Sequence, residues 1–325
     1  MKAEISFSRG EPIHQLSVSF TAMRLLPLLL VILATLAQAA DFTYTTNSGS
    51  ITITGYTGPL GDVVIPDAID GLPVTSIGDS AFLDWTNLTS IRIPDTVTSI
   101  GADAFDGCEN LTNLTIPNSV TSLGSLALSG CTRLSGLTIP SSLRIIEEGA
   151  FGGCSSLTSI TVPDNITTIS AHAFSGCSNL RSVTIGTGVS RIGDFAFAGC
   201  PQLSGVYFRG DLPTLELFIF TGDTNAVLYY LTGTTGWGPT LGDPPTMPWN
   251  PQVPTSDARF GVRTNQFGFP ITGTSNLVLV VEACADLAHP SWSPVGTNIL
   301  TGGSSYFSDP QWTKYPTRFY RLRSP

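Results

Sequence analysis

The chain has 325 residues, 42% of them apolar and only 12% charged, with a net charge of −9. A surface so poor in charge must be made of Ser, Thr, Asn and Gly, which is unusual for a cytosolic protein and suits an extracellular one rich in polar strands. Residues 63–231 carry 15 acidic and 6 basic side chains, whereas 257–325 carry 4 and 6; an acidic body excludes a nucleic-acid partner, which needs a basic footprint.

Residues 25–36, LLPLLLVILATL, form an apolar run of 12. A bilayer span needs about 20 residues, so this run is too short to be one. Arg24 precedes it, and Ala37-Gln38-Ala39 follows as an A-x-A cleavage signal. Residues 1–39 are therefore expected to be a secretory signal peptide cleaved near Ala39. Met23–Ala39 is a complete signal by itself, which leaves residues 1–22 as a start-site artefact or a long n-region. Nothing after residue 39 reads as a membrane anchor. Residues 40–62 contain FTYTTNSGSITITG, two alternating stretches around Asn47-Ser48-Gly49, and are expected to form an N-terminal β cap.

From residue 63 to 231 the chain repeats with a period of 23. Phe82, Phe105, Leu128, Phe151, Phe174, Phe197 and Phe220 form one column. Ile77, Ile100, Leu123, Ile146, Ile169, Ile192 and Leu215 form a second. A third reads Trp85, Cys108, Cys131, Cys154, Cys177, Cys200, Asp223. A fixed period of this length means stacked units, none able to bury its apolar side alone. Within the copy LTSITVPDNITTISAHAFSGCSN, Leu157, Ile160 and Val162 alternate with outward Ser159 and Thr161, the pattern of a short strand. Pro163 ends its ladder, Ile166–Ile169 makes a second short strand, and Ala173-Phe174 drives a ring inward from a helical or 3₁₀ turn. Asp70-Gly71-Leu72-Pro73 marks an insertion of five residues that leaves the core columns in register. The copy at 206–231 loses its Cys and serves as the C-terminal cap.

Residues 232–256 hold six prolines and several glycines and are expected to be a semi-rigid linker. Residues 257–325 show strand-like runs at Phe267–Thr272, Leu277–Cys284, Pro294–Leu300, Ser304–Ser308 and Arg318–Arg323, which predict a small antiparallel β module.

The pattern L-x-x-I-x-I-P-x-x-V-x-x-I-G-x-x-A-F-x-G-C, seen closely in PDTVTSIGADAFDGCENLTNLTI from Pro94 to Ile116, resembles the BspA-type (Treponema-type) leucine-rich repeat over about residues 63–231. The resemblance implies a mainly β, right-handed solenoid of 23-residue coils with a parallel sheet on its concave side. It also implies a secreted or cell-surface bacterial protein that adheres to matrix proteins, cells or glycans. Leu128 in place of Phe and Gly186 in place of Pro depart from the pattern as local repacking.

Equally spaced Cys side chains run in a line and read as buried free thiols; metal needs converging ligands, and disulfides need crossed geometry. His172 sits in a variable surface column with Ser80, Asp103, Leu126, Gly149 and Phe195. No His, carboxylate and nucleophile fall into a catalytic arrangement, so no enzyme, metal or cofactor is expected. The candidate ligand contacts lie on the concave face. One outward column reads Arg92, Thr115, Thr138, Thr161, Thr184, Tyr207, Tyr230, and its neighbour ends at Leu228. Arg92, Arg181, Tyr207, Tyr229 and Tyr230 are the candidate contacts for an extracellular protein or glycan. The competing expectation is a structural spacer whose C-terminal module does the attaching.

Overall fold

The structure is a computed structural model and describes residues 41–59, 61–238, 244–275 and 277–323. The expected signal peptide lies outside the described residues. The chain is mainly β, and among the described residues no α-helix forms. Repeats coil into a solenoid, and the concave side is a parallel ladder. Gly61–Val64, Leu88–Arg92 and Asn113–Thr115 form its first part. Ser159–Val162, Ser182–Ile185, Gly205–Phe208 and Leu228–Leu231 continue it. Between the two parts only a bridge from Asn113 to Gly136 survives. Glycine has no side chain to pack across strands and costs more backbone entropy to order, so the ladder thins there.

A second wall is made of strands only two residues long, such as Thr168–Ile169, Arg191–Ile192 and Thr214–Leu215. The third corner, expected as a helical or 3₁₀ turn, is a run of hydrogen-bonded turns. His172 N–H donates to Asp194 O (2.9 Å), Phe174 to Ala196 O (2.8 Å) and Gly176 to Ala198 O (2.8 Å). Such rungs between coils recur along the solenoid, so the backbone polar groups are paired although no regular helix forms. Two positions per coil bend left-handed there: one is Gly in most coils, as at Gly107, Gly130, Gly153, Gly176 and Gly199, while the other holds Ser80, Asp103, Leu126, His172, Phe195 and Phe218, all with φ between 55° and 58°. Only short polar residues and Gly visit that region readily; the rungs on either side hold Leu126, Phe195 and Phe218 in it.

The interior follows the repeat columns. Phe82, Phe105, Phe151, Phe174 and Phe197 are fully buried. Phe151 stacks on Phe174 with centroids 5.4 Å apart, and Phe174 on Phe197 at 5.4 Å. Leu128 interrupts the aromatic column, which resumes at Phe151. The insertion forms its own hairpin, pairing Ala68–Ile69 with Leu72–Ile77 across an Asp70-Gly71 turn that is left-handed at both residues.

At the N-terminal end Phe42–Asn47 and Ser50–Tyr56 form an antiparallel hairpin whose second strand runs parallel to Leu72–Ile77. Tyr56 packs 5.4 Å from Trp85, covering the first coil. A bare solenoid end would expose an apolar layer, and this hairpin covers it, with Phe42–Asn47 becoming the terminal strand of its sheet.

At the other end the structure departs from the sequence reading. The Pro-rich stretch expected to be a linker contains the strand Thr246–Trp249, which pairs parallel with Leu228–Leu231 and extends the concave ladder. Gln252 then exchanges hydrogen bonds with Thr272 (2.7 and 2.9 Å), tying the stretch to the C-terminal module. Proline's fixed φ is compatible with extended chain, and a terminal strand tolerates a missing donor on its free side. That is why Pro248 fits opposite Tyr230.

The module has two three-stranded antiparallel sheets. One contains Gly261–Arg263, Gln266–Thr272 and Ser304–Asp309; the other contains Ser293–Ile299, Val278–Cys284 and Phe319–Arg323. Gly261–Arg263 is the strand the sequence reading missed. It is short and lacks an alternating apolar pattern.

Candidate functional site

The outward column of the concave sheet divides in two. Arg92, Thr115, Thr138 and Thr161 are exposed. Thr184, Tyr207 and Tyr229 are 8%, 5% and 6% exposed. The change comes from the C-terminal module, which packs over the last coils. Tyr207 and Tyr229 stack at 4.9 Å and share one apolar cluster with Phe269, Ile271, Leu279 and Val281. Burial drives the hydroxyl pKa of both tyrosines upward.

Two expectations are thereby corrected. Tyr207 and Tyr229 are the seam between solenoid and module, because two adjacent rings bury more apolar area than any polar contact would offset. Tyr230 does not continue their column. The hydrogen-bond register aligns Tyr207 with Tyr229 and Phe208 with Tyr230, so the last coil is one residue short. Tyr230 instead stacks on Trp237 at 5.1 Å, and the neighbouring outward column ends on Val227 rather than Leu228.

Arg92 and Arg181 are both exposed. They lie four coils apart, roughly 19 Å at strand spacing, so the structure does not bring them together.

What the module does create is a groove along the seam. A cavity of about 440 Å³ opens between the last exposed threonine, Thr161, and the strand Phe319–Arg323, with Tyr207, Arg209, Trp249, Arg321 and Arg323 around it. Among the described residues no carboxylate lines it. The buried Glu282 beneath it accepts from Arg321 Nε (2.7 Å) and Arg323 Nε (2.6 Å), one guanidinium on each oxygen. Burial alone would raise the Glu282 carboxyl, but the hydrogen bonds from Arg323 and Arg321 outweigh it and hold the group below its ordinary pKa. Arg321 also lies over Trp292, 4.5 Å from the ring centroid. Arg209 donates to Asp164 Oδ1 at 3.1 Å. The Trp249 indole Nε1 is buried with no hydrogen-bond partner in the structure.

Of these residues only Tyr207 was flagged by the sequence. Arg321 and Arg323 do follow a readable signal, since they alternate with Leu322 on one strand. Arg209 and Trp249 had none: one follows a strand end, and the other sat in a stretch read as linker.

Elsewhere the repeat columns explain themselves. The five repeat cysteines are free and buried, and each thiol donates to a backbone carbonyl, as Cys177 Sγ does to Phe151 O at 3.3 Å. Burial pushes the Cys108 and Cys177 thiols up to about 12. Such thiols are inert to oxidants and electrophiles. Asp223 takes the Cys position in the last coil; its Oδ1 accepts from Cys200 N at 2.6 Å, while Oδ2 is buried without a partner. Burial raises this carboxyl to about 7. The exposed His172 and Phe218 stack on either side of a half-buried Phe195 on the turn side, at 5.1 and 5.3 Å. Among the described residues no three His, Cys, Asp or Glu side chains converge on a metal position. No helix among them is long and apolar enough to cross a membrane.

Residues 75–204 and 146–226 match the profile of the BspA type leucine rich repeat region, in six copies. The chain is 30% identical to the T. pallidum leucine rich repeat protein TpLRR, over 60% of this chain and 86% of that one, with a TM-score of 0.49. It is also 30% identical to a leucine rich cell surface protein from Faecalibacterium prausnitzii, with a TM-score of 0.53; that match covers 58% of this chain and 53% of the other. No curated protein matches the chain. The protein belongs to the BspA-type leucine-rich repeat family.

Proposed function

We propose that this is a secreted or cell-surface binding protein, adhesin-like, that holds an extracellular protein or glycan on its concave face. The observation that carries this reading is the groove at the seam. Aromatic rings, threonine hydroxyls and ordered guanidiniums converge there on the parallel sheet. Rigid, preformed surfaces bind with little ordering cost. Export rests on the expected signal at residues 1–39 and on the cell-surface relative from F. prausnitzii. Leucine-rich repeats of this kind are typically binding scaffolds, and we assign no enzymatic activity. The spacer reading is weakened by the module's packing on the sheet, since the expected linker that would have separated the two contains a paired strand.

The test is binding of the purified full-length protein to an array of glycans and extracellular-matrix proteins, repeated with Thr161→Trp. That substitution fills the groove from an exposed position. Saturable binding lost in the variant supports the reading. Binding that survives it would move the ligand to another surface.

A further inference from the structure

The last coil leaves its turn wall unfinished, on a surface that shares no lining residue with the concave groove. We propose that this end docks an extended polypeptide segment of a partner protein, with the pattern aromatic-x-aromatic-x-Gly-basic.

Backbone pairing is the first argument. From Ser80 onward, each coil of this wall gives three alternate N–H groups to three alternate carbonyls of the next coil. His172, Phe174 and Gly176 donate to Asp194, Ala196 and Ala198. Phe195, Phe197 and Gly199 donate to Leu217, Ile219 and Thr221 at 3.2, 3.0 and 2.8 Å. The N–H groups next in register belong to Phe218, Phe220 and Gly222. Among the described residues none of the three has an acceptor. A row of free donors is a template for added chain, as at the open edge of a sheet. Their spacing selects alternate carbonyls of an extended segment.

The second argument is the apolar layer behind that row. Phe174 and Phe197 are fully buried, whereas Phe220, the next ring of their column, is half-buried. Phe218 ends the outer stack beyond Phe195 and is 61% exposed. It also holds a left-handed φ of 58° that suits Ser80 and Asp103 of the same column better. An exposed aromatic kept in a disfavoured conformation points to a use for its ring. Phe218 and Phe220 line a cavity of about 520 Å³ together with Leu228, Pro244 and Pro245. A segment in the register of residues 194–200, DFAFAGC, would set one aromatic on Phe218 and the next on Phe220. Its Gly would take the left-handed place that Gly199 holds, and its last residue would lie over Asp223.

Charge gives that last residue its identity. The ionisable residues lining the cavity are Glu216 and Asp223, both acidic. Glu216 already accepts from Arg191 Nε at 2.6 Å. Asp223 is 4% exposed and gives Oδ1 to the Cys200 N–H, while Oδ2 has no partner. A Lys or Arg in the position above it would bring both a donor and a counter-charge.

The experiment is calorimetric titration of the purified full-length protein with the end-blocked peptide Ser-Phe-Ala-Phe-Ala-Gly-Lys. It is run at pH 8, above the Asp223 value of about 7. One control peptide replaces Lys by norleucine, and another replaces both Phe by Ser. The proposal expects saturable binding of the first, about tenfold weaker binding of the norleucine peptide and none of the double-Ser peptide. Amide exchange at Phe218, Phe220 and Gly222, followed by NMR, should slow at least about tenfold on saturation. Phe218→Ser, which copies Ser80, should remove most of the affinity. Asp223→Asn should erase the preference for Lys and keep the need for the aromatics. Thermal melts of each variant control for folding. Thr161→Trp, in the concave groove, should leave peptide binding unchanged, so failure here and failure of the concave-face reading are distinguishable. No binding of the first peptide, equal binding of the double-Ser peptide, or unchanged exchange at the three amides would overturn the proposal. Sedimentation of the protein alone supplies the last outcome: a dimer that Phe218→Ser abolishes would give this end to a second copy and overturn the partner segment.

Discussion

The two halves of the concave sheet are built from one repeat and do opposite things. From Arg92 to Thr161 the outward residues of this column are exposed among the described residues. From Thr184 to Tyr229 they are the floor of a second core. The backbone is the same parallel ladder in both. What differs is the side chain: threonine repeated on a strand surface has no strong preference between water and protein, whereas two stacked tyrosines supply apolar area that must be covered. A solenoid can therefore turn part of its concave face into a docking face by changing one column, with no change in coil geometry.

The largest expected effect sharpens this contrast. Tyr207→Ala or Tyr229→Ala removes a buried ring and should destabilise the protein by about 3–4 kcal/mol, whereas Thr115→Ala in the open half should stay within about 0.5 kcal/mol. Chemical denaturation of the three variants checks it. Equal effects in both halves would remove the distinction.

The second prediction concerns the two ends. The N-terminal cap is apolar, whereas the last coil buries Asp223 with a carboxyl raised to about 7. A carboxyl whose folded pKa is raised binds its proton more tightly in the native state. Stability is then fully present at low pH and falls as pH rises from about 4 to about 7. The carboxyl borders a cavity of about 520 Å³ at the solenoid end, so the loss should be on the order of 2 kcal/mol rather than the roughly 4 of a sealed site. Asp223→Asn should abolish that slope between pH 4 and 7 in urea titrations. Asp223→Cys restores the column residue and should do the same. A wild-type midpoint that does not move over this range would contradict the assignment.

Next in size is the thiol column. Buried thiols raised to about 12 should resist a thiol reagent in the native protein at neutral pH. All six should titrate once it is unfolded, because none is in a disulfide. Fewer than six after unfolding would mean oxidation.

The smallest effect is at the thin point of the sheet. A side chain at Gly136 would meet no neighbouring atom within 4 Å. Gly136→Thr should therefore stabilise the protein by about 0.5 kcal/mol, by joining the two parts of the concave ladder and reducing unfolded-state freedom. Loss of stability would show that the gap is required.

The solenoid was readable because each core column repeats the same residue type, so the Phe, Ile and Cys positions state their own environment many times. The module's main strands were readable from local alternation. The seam was not. Tyr207 and Tyr229 look the same in a sequence whether a ligand or another part of the chain covers them. The one-residue deletion that moves Tyr230 off the column is invisible until the ladder is drawn. Thr246–Trp249 was hidden by its prolines, which resemble a linker although their backbone is compatible with a strand. Arg209, Arg321 and Arg323 come from distant segments that meet only when the module docks.

The most direct test of this account is hydroxyl-radical footprinting of the tyrosines, read by mass spectrometry. Tyr207 and Tyr229 should be protected in the native protein, while Tyr306 and Tyr315, each 39% exposed, should oxidise readily. Oxidation of Tyr207 and Tyr229 at the rate of Tyr306 would show that the module does not cover the concave sheet, and the groove built on that seam would not exist.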